Sequence, residues 1–468
     1  MSLDLHNKKI EVVSEEIRKY FLSDKKDKIR FYHGSTNSTR PNSNSSYIDI
    51  SSFDEILEIS ASGLYALVEP KVSMETLVKA TLKLGLIPLV VMEFPKITCG
   101  GAINGASLES SSFKYGQLSD TCTEYEIILG NGEKIIASKE NHQDIFYGIS
   151  GSYGSLGLIT SIKLRLTQAK KYIKTTYLLV ASFQEALDLI KKLSQDRDLN
   201  YLDAIMYSSS HGVIITGERS DISNLPIKTY SKIRDLWFYE RAQKVTTIPE
   251  EELVPIQDYL FRYNRGGFWM GEFAFPLLGI PNNKITRFLF NGYAKTHKLY
   301  EALHTLNVSQ EYFLQDIYFP LNETLACLEY NDKEVGIYPL WLCPVKSTST
   351  EQKLSPHYID SDLLIDVGIW GQTPKYLANP IGVNKKFEQF TKDHNGRKML
   401  YAHAYYSESE FWEIYNNSWY ISLRKKYFAD KIFPDVWSKT HVSGYIRGNR
   451  WKGFLKYFFV NPIKNKYK

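Results

Sequence analysis

Apolar and polar positions alternate between two periods along the chain, and the switches between them predict the elements. Near the N-terminus a helical pattern from Ile10 to Leu22 gives way to a short strand, Lys28 to Tyr32, and then to the Ser/Asn-rich stretch "GSTNSTRPNSNSS". Met74, Leu77, Val78, Thr81 and Leu82 then recur at helical spacing behind Ser73, a good N-cap, and Gly85 ends the run before an apolar strand, Leu86 to Val91. That strand runs into "CGGAINGASLESSSFKYG", which reads as a Gly-rich loop. Tyr125 to Leu129 and Lys134 to Ala137 flank Asn131-Gly132, the signature of a tight hairpin. "DIFYGISGSYGSLGLITSIKLRL" predicts a helix, a loop through Gly151, Gly154 and Gly157, and a strand with Ile162, Leu164 and Leu166 on one face. A dinucleotide fingerprint needs its glycines between a strand and a helix; these precede a strand, so that motif is rejected.

Beyond Gln168 the pattern changes to mixed helices and strands dense in aromatic residues, with "VGIYPLWLCP" and "DLLIDVGIWG" reading as buried strands of an antiparallel sheet. The expected division is therefore residues 1–168, a second domain at 169–398, a returning segment at 399–440 and a tail at 441–468.

Charge and cysteines narrow the classes. The net charge of +5 is concentrated in the tail, where Val436 to Lys468 holds eight Lys and Arg and no acid, interleaved with Trp451, Phe454, Tyr457, Phe458 and Phe459. Cations among interfacial aromatics suit the surface of an anionic membrane, so peripheral membrane contact through the tail is one expectation and a packed arm the other. No nucleic-acid module accompanies the patch, and nucleic acid is not an expected partner. Neither a signal peptide nor a membrane-spanning run is legible, which places the expected location in the cytoplasm or at a membrane surface. The four cysteines, Cys99, Cys122, Cys327 and Cys343, have no metal-ligand or disulfide-framework spacing; no metal is expected, and a reducing compartment is. The sequence leaves the oligomeric state open.

Glycines let backbone N–H groups converge on an anion, and Ser and Thr hydroxyls add donors without charge. The two Gly-rich loops thus suit a diphosphate. Neither contains the Gly-Lys-Ser/Thr of a nucleotide-hydrolysing loop, so the phosphate is one that stays in place.

The strings "FYHGSTNSTR", "ITCGGAINGASLESSSFKYG" and "DIFYGISGSYGSLGLITSIKLRL" resemble the FAD-binding domain of the vanillyl-alcohol oxidase and p-cresol methylhydroxylase flavoproteins. Within that family, "LESSSFKYG", "YPLWLCP", "LLIDVGIWG" and "MLYAHAYYSESEFWEIY" are most similar to the branch that reduces the delta-24 side-chain double bond of sterols. The resemblance runs from about Arg30 to about Tyr427. It implies an α+β fold: a two-subdomain FAD-binding domain of the vanillyl-alcohol oxidase type, plus an α+β cap with an antiparallel sheet over the flavin. Carried over, Gly34, Ser35, Thr36, Asn37 and Ser38 meet the FAD diphosphate from one side. Gly100, Gly101, Asn104, Gly105, Ser110 and Ser111 meet it from the other, with Gly154, Gly157 and Ile159 close by. Glu109 is expected to orient a loop N–H or the flavin rather than to move protons. Asn37 stands where some relatives carry a flavin-tethering histidine, so FAD is expected to bind without a covalent link.

The resemblance also implies an electron donor, NADPH, and a sterol or isoprenoid substrate. Reducing an isolated alkene takes a proton and a hydride from different sources. Tyr338, Tyr401, His403 and Tyr405 are the expected proton donors, Trp341 and Trp370 line the pocket or fill the core of the cap, and His33 packs locally. Two alternatives stay open: oxidation of a sugar-like or lipid-linked alcohol, with His403 as base, and a membrane-associated binding protein with little catalysis. A polar pocket favours the alcohol and an apolar one the sterol.

Overall fold

The computed structural model describes residues 2–23, 27–34, 38–39, 46–246, 249–277, 281–347 and 351–445. Ser35, Thr36 and Asn37, and the basic aromatic tail beyond Tyr445, lie outside the described residues.

The first helix, α1 (Ser2–Phe21), buries Ile10, Val13 and Ile17 along one stripe, as the periodicity predicts. It begins eight residues earlier than the apolar pattern, because its first turns are held by a polar anchor. His6 sits between two carboxylates, Nδ1 2.7 Å from Glu69 and Nε2 3.0 Å from Glu126. Strands β1 (Ile29–Tyr32) and β2 (Ser46–Asp49) pair in parallel and pack Ile29, Ile48 and Phe53 against α1.

The next subdomain is built on a sheet of β3 (Ile56–Ser60), β4 (Tyr65–Val68), β6 (Cys122–Ile128), β7 (Lys134–Ser138) and β8 (Leu158–Gln168) in the order β3-β4-β8-β6-β7, with β5 (Leu86–Pro88) also pairing with β8. Helix α2 (Met74–Leu82) starts where Ser73 Oγ accepts the Thr76 N–H, buries Met74, Leu77 and Val78, and is followed by Gly85 at φ +70°. The expected loop after β5 is partly helical: Thr98 caps α3 (Cys99–Asn104) by accepting the Gly101 N–H. Gly100 is required there, since a Cβ would stand 2.5 Å from the Pro70 side chain. Asn131-Gly132 turns the β6–β7 hairpin, with Gly132 at φ +82°, and Gly154 and Gly157 precede β8.

The second sheet runs β12-β9-β11-β10-β14-β15-β13-β16, antiparallel at each pairing. Its strands are β9 (Tyr172–Val180), β10 (Tyr201–Ser208), β11 (His211–Ser220), β12 (Glu250–Pro255), β13 (Phe313–Pro320), β14 (Leu340–Lys346), β15 (Leu363–Gly371) and β16 (Arg397–Lys398). The fold is α+β, with the β1–β2 pair and the six-stranded sheet up to Gln168 and the eight-stranded sheet after it. β14 and β15 are the two apolar strings that read as buried strands, and they lie side by side. One face of this cap sheet packs on its own helices, with Phe313, Ile317, Leu342 and Val367 in that core.

The chain after β16 returns to the first domain. Arg424, buried, donates to the Ser155, Ala429, Pro434 and Phe433 carbonyls, and the Gly130 backbone abuts Phe428 so closely that a Cβ has no room. No helix among the described residues is long and apolar enough to cross a membrane.

Candidate functional site

One cavity of about 460 Å³ lies between the first domain and the cap. The first-domain wall contains Gly100, Gly101, Asn104 and Gly105 of α3 and its C-terminal end, Gly154, Gly157 and Ile159 before and in β8, and Ser38. Asn104 joins the two glycine segments: its Oδ1 accepts from Gly154 N at 2.8 Å and Ser152 Oγ at 3.1 Å, while Nδ2 donates to the Gly100 carbonyl at 2.9 Å. Sequence reasoning separated these segments by fifty residues; the amide of Asn104 makes them one surface. Arg30, Lys71 and Lys439 bring cations to the same wall, and Gly154 leaves a Cβ-sized space 3.5 Å from Lys439 Nζ. His33 also faces the cavity. Burial, then Lys439 and Lys71, push its imidazole below its ordinary value, and its Nδ1 has no hydrogen-bond partner.

The cap wall is aromatic. Trp341, Trp370 and Phe268 cluster with ring centroids 4.6 to 6.0 Å apart, and Leu299, Leu303 and Leu314 extend the apolar surface. Three acids interrupt it: Glu93 from the loop after β5, Asp316 on β13 and Asp366 on β15. Burial, then the neighbouring Glu109, push Glu93 up to about 8. Burial pushes Asp316 up to about 7, against the opposing effect of its hydrogen bond from Tyr401. These acids were missing from the sequence reading, which took the string of Asp366 as a buried strand and singled out neither Asp316 nor Glu93. The available signal was a single ionisable residue in each of "FLQDIYF" and "LLIDVGIWG".

The expected proton donors separate. Tyr401 lines the cavity and donates to Asp316 Oδ2 at 2.6 Å while accepting from Trp370 Nε1 at 3.2 Å. Tyr338, His403 and Tyr405 are not on the cavity wall. Tyr338 donates to Asp332 at 2.6 Å at the protein surface. His403 Nε2 stands 3.1 Å from the Thr39 carbonyl, an acceptor only, so that nitrogen carries the proton and ties the first-domain loop to the returning segment. Tyr405 accepts from Gln310 at 3.1 Å inside the cap.

The expected diphosphate ligands separate as well. Gly34, at φ +70°, and the trio Glu109, Ser110 and Ser111 do not line the cavity. Glu109 accepts from Arg262 Nη1 at 3.0 Å and from Ser110 Oγ at 2.7 Å. Arg262 also reaches Asp203 at 3.0 Å, and the Ser110 carbonyl accepts from Leu202 N at 2.8 Å. "LESSS" is thus a buried latch between the domains. Ser111 Oγ, without a partner, faces a separate small recess beside Arg219.

Comparison with known proteins decides which kind of site this is. Residues 13–138 match the FAD binding domain family. The delta(24)-sterol reductase of Mus musculus is 29% identical over 395 residues, covering 82% of this chain and 76% of its own. This chain is similar over most of its length to the delta(24)-sterol reductases. The Arabidopsis thaliana delta(24)-sterol reductase is 28% identical over 435 residues, 84% of this chain and 76% of its own. Cytokinin dehydrogenase 2 of the same plant is 23% identical over 381 residues, 75% and 71% of the two chains. The sterol-reductase alignments are much longer than the matched FAD binding domain, so the similarity takes in the cap, and with it a wall of this cavity. The residues present fit FAD. Gly154 leaves a cradle that a Cβ would fill, cations surround it, and the wide aromatic wall is open to the same space.

Proposed function

We propose that the protein is an FAD-dependent reductase of a sterol, or related isoprenoid, side-chain double bond, with NADPH as the source of electrons. The observation that carries this reading is the division of one cavity into a glycine-and-cation wall and an apolar aromatic wall, in a chain similar to sterol reductases. On the first wall, the backbone of Gly100, Gly101, Gly105 and Gly154 would receive the diphosphate, with Ser38, Arg30, Lys71 and Lys439 supplying further donors and positive charge. When bound and reduced, FAD supplies hydride.

The rest of the chemistry falls to the protein. Phe268, Trp341, Trp370 and Leu314 exclude water from the alkene and hold it in place. The π faces of Phe268, Trp341 and Trp370 also stabilise positive charge that develops on the tertiary carbon when the less substituted carbon takes a proton. Apolar and aromatic side chains, Phe268, Leu299, Leu303, Leu314, Trp341 and Trp370, outnumber the three acids of this wall, which favours the alkene over the alcohol. The basic aromatic tail is read as the contact with the membrane that stores an apolar substrate.

The test is to purify the full chain, record its visible spectrum, and incubate it anaerobically with NADPH and a delta-24 sterol such as desmosterol. Yellow protein, bleaching by NADPH and a product heavier by two hydrogens are expected. Bleaching by a polyol with unchanged sterol would replace this reading by alcohol oxidation, and no bleaching by NADPH would remove that electron donor.

A further inference from the structure

Two acids of the cap wall, Asp316 on β13 and Asp366 on β15, lie on one face of adjacent strands. Asp316 stands opposite Gly368, Asp366 opposite Tyr318 and Cys343, and Trp341 opposite Gly368. Side chains alternate between faces, so Asp316, Trp341, Asp366 and Trp370 emerge on the same side, where each lines the cavity. Asp316 and Asp366 are diagonal neighbours, a relation that sets β-carbons about 7–8 Å apart. Gly368 between them makes the arrangement possible: a Cβ there would meet the Trp370 ring at 2.5 Å and Asp316 Oδ1 at 2.8 Å.

The two carboxyl groups differ in their partners. Asp316 Oδ2 is held by Tyr401, leaving Oδ1 without a partner; neither oxygen of Asp366 has one. The titratable groups on the same side of the sheet as Asp366 among the described residues include Asp316 and Tyr318 from β13, Cys343 from β14 and Glu93, while Cys327 of the helix Leu321–Tyr330 lies behind the sheet. None of these is a cation. Burial, then Asp316 and Glu93, raise Asp366 well above the ordinary carboxyl range.

We propose that Asp366 is the proton donor to the substrate, a carboxylic acid kept neutral in the cap wall, and that Asp316, held by Tyr401, is its positioning partner. This rests on the reductase reading above and names the acid that it needs. The Asp366 O–H bond breaks as the alkene π pair forms a C–H bond at the less substituted carbon. The tertiary carbon, left electron-deficient, would be quenched by the hydride that reduced FAD supplies when bound, and the Asp366 carboxylate would regain one proton from the bulk solvent. The aromatic rings of Trp341 and Trp370 flank the acid on the same sheet face, so charge separation in this step is between the carboxylate and a carbon facing π density.

The test compares full-length wild type with D366N in three measurements: retention of FAD, bleaching by NADPH, and alkene reduction. The expected result is unchanged FAD content and bleaching with alkene reduction lowered by about a hundredfold or more, the range for loss of a general acid. Infrared titration supplies a readout independent of turnover. Wild type carrying isotope-labelled aspartate carboxyls should show a neutral-acid carbonyl band at neutral pH that D366N lacks. Equal alkene reduction by D366N, or an ionised Asp366 at neutral pH, overturns the proposal while leaving the reductase reading intact. Wild type that reduces no alkene defeats the reductase reading itself. If D366N does not fold, the D316N variant assigns the labelled bands: a neutral-acid band remaining at neutral pH supports the proposal, and the absence of one overturns it.

Discussion

Two sets of buried acids share the inner face of the cap sheet, and they differ in what faces them. In one, Asp203 and Glu109 converge on Arg262, and Asp203 Oδ2 also accepts from Tyr263 at 2.7 Å and from Trp341 Nε1 at 3.0 Å. In the other, Asp316 and Asp366 face the cavity, aromatic rings and each other. Trp341 belongs to both sets: its nitrogen anchors in the first and its ring lines the cavity. Burial alone therefore does not mark a functional carboxyl. A buried acid with a guanidinium and two further donors is a joint; one with unpartnered oxygens on a cavity wall is held ready for chemistry.

The largest effect should come from breaking the first set. Arg262→Met leaves Glu109 and Asp203 buried without their cation and should destabilise the fold by about 3–5 kcal/mol. D366N, which removes an acid that has no partner to lose, should stay within about 1 kcal/mol of wild type. Chemical denaturation followed by flavin release and by tryptophan fluorescence measures both. Equal losses in the two variants would erase the distinction between joint and donor.

Gly368→Ala tests the second set without touching a carboxyl. Its Cβ would enter the space of the Trp370 ring and of Asp316 Oδ1, so overpacking should cost about 1–3 kcal/mol and slow alkene reduction with FAD retained. Gly292→Ala, where a Cβ meets nothing within 4 Å, is the control and should change stability by no more than about 0.5 kcal/mol. A silent Gly368→Ala would show that the diagonal of Asp316 and Asp366 does not depend on the bare backbone between them.

What the sequence disclosed follows the same line. The glycine segments were legible because a turn or a close approach is a local demand on the residue that meets it: Gly154 at φ +70°, Gly100 against Pro70, Asn131-Gly132 in its hairpin. So were α2 with its Ser73 cap and the strands β14 and β15. The proton-holding pair was not. "FLQDIYF" and "LLIDVGIWG" each show one acid on a strand, but only the register of β13 with β15, fifty residues apart, makes the acids diagonal neighbours. The same non-local pairing moved "LESSS" from an expected diphosphate ligand to the Arg262 joint, since nothing near Glu109 in sequence announces a guanidinium 153 residues away. The tyrosines were ambiguous for a third reason: Tyr338, Tyr401 and Tyr405 sit in similar strings, and only packing decides that the hydroxyl of Tyr401 is the one on the cavity wall.

The smallest expected effect lies where a buried acid pair has a counter-charge that can be titrated. Burial alone would push His6 down, but its hydrogen bonds to Glu126 and Glu69 outweigh this and raise it to about 8 from 6.5. A raised folded value means that the protonated ring stabilises the fold fully below pH 6.5, and that this contribution is lost as pH rises through about 8. His6→Gln keeps a hydrogen-bonding side chain without the charge and should cost about 1 kcal/mol below that window and little above it, once the partly solvated setting is allowed for. Asp316 works in a lower window: its value rises from 3.8 to about 7, so the fold loses stability as pH climbs across that interval, and D316N should flatten this slope alone. Denaturation midpoints measured against pH for wild type and both variants separate the two contributions. If H6Q removes the slope below neutrality as well, the proton lost there belongs to the α1 anchor and not to the cavity acids.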